Sequence, residues 1–185
     1  MDVMTTLPRG RDLTSEDLVA LPEDGWRHEL VDGALVMTPS PSARHQIAAF
    51  ELAVRLRSSC PPDLVVMVAP FDVALAADTV LQPDVLVARR ADLTGHELPR
   101  PPLLAVEVLS PSTRHIDLGL KRSRYEAAGC PSYWVVDPGA DDQPASLVAW
   151  ELLDGAYVEA ARVVGEETWQ ARSPYDVSVV PAALV

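Results

Sequence analysis

Leu103 to Leu109 (LLAVEVL) is an apolar run with one carboxylate, Glu107, inside it. No alternation of apolar and polar positions marks a solvated face. The run has strand length, so it suits a strand buried on both sides. An unpaired charge in such a strand costs on the order of several kcal/mol. Any fold that buries this segment must therefore compensate Glu107.

The rest of the chain reads as strands and helices around that run. TSEDLVAL (Thr14 to Leu21) predicts a short capped helix. HELVDGALVM (His28 to Met37) predicts a hairpin about Asp32-Gly33. Residues 42–59 predict a helix with two apolar stripes, Ile47, Phe50 and Val54 on one side and His45, Ala49, Leu52 and Leu56 on another. Two stripes imply burial against more than one neighbour. Pro61-Pro62 ends that helix, and DLVVMVAP, FDVALAAD and LQPDVLVARR read as strands. After the Glu107 strand, SPST is a turn and cap signal, with Ser112 and Thr113 as caps. A helix over 114–128 then ends at Gly129. SYWVVD is a buried strand, and SLVAWELLDGAYVEAARVV is a second hairpin, about Asp154-Gly155. This order predicts an α/β fold, with one mixed β-sheet flanked by helices and hairpins at both ends. At 185 residues a single domain over 1–185 is expected.

Composition narrows the partners. The net charge of −12 puts a nucleic-acid binder at a disadvantage. The charge is uneven, however: Arg114, Lys121, Arg122 and Arg124 face only Asp117 across 114–124, which leaves a local basic surface in play. The N-terminal stretch MDVMTTLPRGRDLTSED has no apolar core, and no run reaches spanning length. No membrane contact is expected, and a cytoplasmic location is. Two well-separated cysteines, Cys60 and Cys130, fit that reduced setting. Of fifteen basic residues only Lys121 is a lysine. An ammonium is a compact, tunable charge, which guanidinium is not.

Asp84 repeats the peculiarity of Glu107 at the start of PDVLVA. Two inward carboxylates on adjacent strands repel unless a cation lies between them, and Mg²⁺ takes such oxygen ligands. Asp117, Lys121 and Tyr125 share a helical face, so the helix returning over the sheet can aim Lys121 at the pair. Carboxylates, a divalent metal (Mg²⁺ or Mn²⁺) and a lysine suit phosphodiester hydrolysis. Asp117 is read as a partner of Lys121 or Arg114, and Asp137 as the cap of the turn into Pro138.

PDVLVA, then LAVEVLSPSTRHIDLGLKRSRYEAAGCPSYWVVDP, with HELVDGALVM and His45, resembles the Uma2 family. That family is assigned to the restriction endonucleases of the PD-(D/E)XK nuclease superfamily. The resemblance implies a restriction-endonuclease-like core, a divalent metal and nucleic acid, most readily DNA, as substrate. It implies Asp84, Glu107 and Val108 at the metal, Glu29 as a further carboxylate, and Lys121 as the catalytic lysine. His45 and Tyr125 read first as core side chains on their helices, with an outer contact to the site as the alternative for each, and a homodimer is in keeping with the superfamily. The usual lysine position, two residues after the strand acid, is Leu109 here, so the assignment rests on the following helix. The alternative is a non-cleaving protein of the same fold with a binding or regulatory role.

Overall fold

The computed structural model describes residues 10–21, 26–38, 40–140 and 142–185. Residues 1–9 of the N-terminal stretch lie outside them. A short helix, α1 (Ser15–Val19), opens the described chain and is capped by Asp17, which accepts the Thr14 N–H at 2.9 Å. A hairpin follows, β1 (Arg27–Val31) and β2 (Ala34–Thr38). Its turn residues Asp32 and Gly33 have φ of 50° and 76°, the left-handed values a two-residue hairpin turn requires. A Cβ on Gly33 would lie 2.4 Å from the Asp12 Cβ, so the close approach of the preceding segment also demands glycine.

The long helix α2 (Ala43–Ser59) is capped by the Ser42 hydroxyl, which accepts the His45 N–H at 3.2 Å. Then come β3 (Leu64–Val68), β4 (Asp72–Ala76), β5 (Thr79–Leu81), β6 (Val85–Arg89), the two-residue β7 (Glu97–Leu98) and β8 (Leu104–Val108). A π-helical segment (Ile116–Lys121) runs into α3 (Arg122–Ala127). The chain closes with β9 (Ser132–Asp137), β10 (Ser146–Leu153), β11 (Ala156–Val164), β12 (Trp169–Ala171) and β13 (Val177–Val179).

The α/β class matches expectation, but the strands divide between sheets. A mixed six-stranded sheet has the order β11-β10-β9-β8-β6-β3, and a five-stranded sheet has the order β2-β1-β5-β4-β7. The N-terminal hairpin therefore belongs to the second sheet, and the C-terminal hairpin forms the edge of the first. β12 and β13 pair separately.

β8 is central, parallel to β9 and antiparallel to β6, and all five of its residues are buried. Alternation then sorts its side chains. Val106 and Val108 join the core beneath α2, with Leu52, Leu56, Val85 and Trp134. Ala105 and Leu109 join the opposite cluster, with Tyr125, Tyr133 and Val31 of the second sheet. Glu107 lies on that second face, in the seam between the sheets.

The two-stripe expectation for α2 is corrected. His45, Leu52 and Leu56 are buried as a stripe, whereas Ile47, Phe50 and Val54 are about half exposed or more (50, 63 and 49 %). The buried face packs on the large sheet and also on β13 and the C-terminal turn, with Tyr175 donating to the Leu56 carbonyl at 2.8 Å. So α2 has more than one neighbour, and only the burial of the Ile47 stripe fails. No helix among the described residues is long and apolar enough to cross a membrane.

Candidate active site

The register of β6 against β8 pairs Val85 with Val106, which brings Asp84 and Glu107 to the same end of neighbouring strands. Asp84 is fixed by the strand it faces: the Val108 N–H donates to its Oδ2 at 2.7 Å. His45, one turn into α2, places Nε2 3.1 Å from the same oxygen. Arg27 donates to Asp84 Oδ1 at 2.8 Å. Burial opposes ionisation of Asp84, but the bond from His45 and the charge of Arg27 outweigh it and hold the group at about 2.

Lys121 enters from the π-helical segment. Its ammonium lies 2.9 Å from Glu29, 3.2 Å from Glu107 and 3.6 Å from Asp117. The expected regular helix over 114–128 is wider here, with Gly119, a poor helix former, inside the π-helical stretch. Asp117 and Lys121 still share one side, four residues apart. Burial works against the ammonium, yet Glu107 and Glu29 more than offset it and raise its pKa. Glu107 moves the other way from Asp84. Burial pushes its carboxyl well above the usual range, Asp84 and Asp117 add to this, and Lys121 pulls against it. Burial raises Asp117 as well.

Glu29 projects from β1 of the second sheet into the seam and is fully buried. Its Oε1 accepts the Gln82 N–H at 2.8 Å, while Oε2 has no hydrogen-bond partner among the described residues. Tyr125 stacks on Tyr133, with ring centroids 5.3 Å apart. Its hydroxyl is also buried without a partner among the described residues. Burial raises its pKa, and the charges of Glu107 and Glu29 raise it further.

Arg27 is the member that sequence reasoning missed. Its guanidinium spans the cluster: 2.8 Å to Asp84, 3.4 Å to Glu29 and 3.9 Å to Glu107. The signal was available, because alternation in β1 places Arg27 and Glu29 on one face.

Asp84, Glu107, Glu29 and Asp117 thus meet two permanent cations, Arg27 and Lys121. Formally, two negative charges are left over. All the carboxylate donors are hard oxygens, and Glu29 Oε2 is unspent. The donor chemistry therefore fits Mg²⁺ or Mn²⁺. No three His, Cys, Asp or Glu side chains stand at metal-ligating spacing among the described residues; Arg27 and Lys121 are interleaved with the acids.

The family model described as "Uma2: Putative restriction endonuclease" matches residues 15–178. The chain belongs to the Uma2 family. No curated protein matches it. Among solved structures it is similar to a putative nuclease belonging to DUF820 from Anabaena variabilis ATCC 29413. That likeness has a TM-score of 0.67 and 18% identity, covering 88% of this chain and 89% of that one, and it shows the fold. In this Uma2 chain Leu109 is buried among Tyr125 and Tyr133, and the ammonium beside Glu107 comes from Lys121. Arg114 pairs with Asp137 rather than Asp117, and Asp137 also caps the turn by accepting the Gly139 N–H at 2.9 Å.

Proposed function

We propose that the chain is a metal-dependent endonuclease that hydrolyses phosphodiester bonds in DNA. The observation that carries this reading is the buried seam where the Lys121 ammonium meets Glu107 and Glu29, with Asp84 at the same end of the neighbouring strand. A fold gains little stability from so many buried charges, and a reaction site uses them.

Asp84, Glu107 and the main chain of Val108 would hold Mg²⁺ or Mn²⁺, with Glu29 as a further carboxylate. The metal supplies an acidified water and charge neutralisation at the phosphate. Lys121 acts as a cation, its ammonium set between Glu29 and Glu107 at 2.9 and 3.2 Å. It orients the attacking water or takes up charge developing on the phosphoryl oxygens. His45 holds Asp84 in place through its hydrogen bond to Oδ2, and Tyr125 lines the dry side of the site. A homodimer acting on a duplex is the finer part of the same reading.

Incubation with plasmid and single-stranded DNA in Mg²⁺ or Mn²⁺ tests it. Cleavage is expected for the wild type and lost in Lys121→Ala. Heats of metal binding are expected to vanish in Asp84→Asn and Glu107→Gln. Absence of cleavage at every metal and salt concentration would favour a non-cleaving binding protein of the same fold.

A further inference from the structure

The metal-binding reading above leaves open what compensates the carboxylates before any ion arrives, and the structure holds a candidate. Two cations share the seam, and they differ in their way out. Lys121 is 5 % exposed and enclosed by Glu29, Glu107 and Asp117. The Arg27 side chain is 23 % exposed, whereas the three carboxylates it meets are 6 % exposed or less. Arg27 therefore stands at the mouth of the cluster with its acids behind it.

Its hold is also uneven. Only the Asp84 contact is a short hydrogen bond, at 2.8 Å; Glu29 at 3.4 Å and Glu107 at 3.9 Å are loose. Nε is buried with no hydrogen-bond partner among the described residues. A guanidinium set to bind carboxylate well uses two parallel donors at shorter range. This one leaves a donor unpaired where it sits, and it is the most exposed member of the cluster.

We propose that Arg27 is the resident stand-in for the metal: its guanidinium occupies the place between Asp84, Glu29 and Glu107, and a divalent cation enters by displacing it. Arg27 thereby sets the metal affinity of the site. Lys121 stays in place throughout, since it has no comparable route to solvent.

The proposal rests on the metal reading, and one experiment separates the two. Mn²⁺ is titrated calorimetrically into the full-length wild type and into Arg27→Met, Arg27→Gln and Arg27→Lys. Thermal melts of each are recorded with and without Mn²⁺. Both neutral variants are expected to bind Mn²⁺ about tenfold more tightly, equivalent to about 1.4 kcal/mol. Arg27→Lys keeps the competing charge and stays near wild type. Without metal the neutral variants melt lower, and Mn²⁺ raises their midpoints more than that of the wild type. If Arg27→Met does not fold, Arg27→Gln, which keeps an amide donor for Asp84, carries the comparison. Equal or weaker Mn²⁺ binding by the neutral variants, with the wild type binding, overturns the role of Arg27 and leaves the metal site standing. No binding by any of the four proteins overturns the metal reading and this proposal with it.

Discussion

The shortest ion pairs of the described chain lie outside, and the most consequential lie inside. On the surface, Arg124 grips Asp32 and Arg162 grips Glu159, each at 2.6 Å, and Arg11 meets Asp17 at 2.8 Å. In the seam, Lys121 and Arg27 reach their acids at 2.8–3.9 Å, with no carboxylate held by a clean two-pronged pair. Good geometry in water contributes little, because solvent screens the pair and both side chains lose freedom. Loose geometry in the interior matters more, since each charge there has lost its water. The buried cluster is thus poorly explained as a stabilising device, and that contrast is what favours the proposed reading of it as a reaction site.

The largest test of that contrast removes the central cation. Lys121→Met keeps the stem but leaves Glu29, Glu107 and Asp117 facing one another without an ammonium. Unfolding in urea should show a loss of about 3–5 kcal/mol, the usual cost of stripping one partner from a buried ionic group. A loss below about 1 kcal/mol would place the cluster on the same footing as a surface pair.

Glu107→Gln should act in the opposite direction. It removes one negative charge from a set that already has two too many, so the metal-free protein should keep its stability to within about 1 kcal/mol or gain. The same excess gives a pH dependence with a definite sign. A carboxyl whose folded pKa is raised binds its proton more tightly folded than unfolded. Stability from Glu107 and Asp117 is therefore present below their ordinary values, 4.5 and 3.8, and is lost as pH rises through the folded ones. Asp84 runs the other way: its stabilisation is present above 3.8 and is lost as pH falls through about 2. Metal-free denaturation should accordingly show wild-type stability declining above the carboxylate range, with a smaller decline in Glu107→Gln. Identical slopes in the two proteins would show that Glu107 is not the group that resists ionisation.

How far the sequence revealed all this depended on contrast with the surroundings. Asp84 and Glu107 stood out because apolar strands make an acid anomalous. Lys121 stood out because every other basic residue is arginine. Arg27 had no such contrast: it is one of fourteen arginines, and its role depends on how the second sheet docks against the first. That docking also hid the two-sheet arrangement, since β1 pairs with β5 and β4 with β7 across long stretches of chain. The exposed stripe on α2 is a different failure. Ile47, Phe50 and Val54 have helical spacing, but spacing states which residues share a face and not what covers that face. Leu109 was readable as a departure from the usual lysine position; that Lys121 would reach Glu107 from a π-helical turn was not.

The smallest expected effect lies on the surface, and it tests whether short distances alone carry weight. Arg162 and Glu159 stand three residues apart on β11, with both side chains well exposed and two donor contacts, at 3.0 and 2.6 Å. By geometry this pair outranks every contact in the seam. Hydrogen bonding to Glu159 raises the Arg162 pKa, but water surrounds both groups whether or not they touch. Arg162→Gln should leave the midpoint of a urea melt unchanged within experimental error, and raising the salt should not distinguish it from wild type. A clear loss of stability in this variant would mean that geometry rather than burial ranks the ion pairs of this fold. The weak contacts of Arg27 would then have to be read as weak in energy as well.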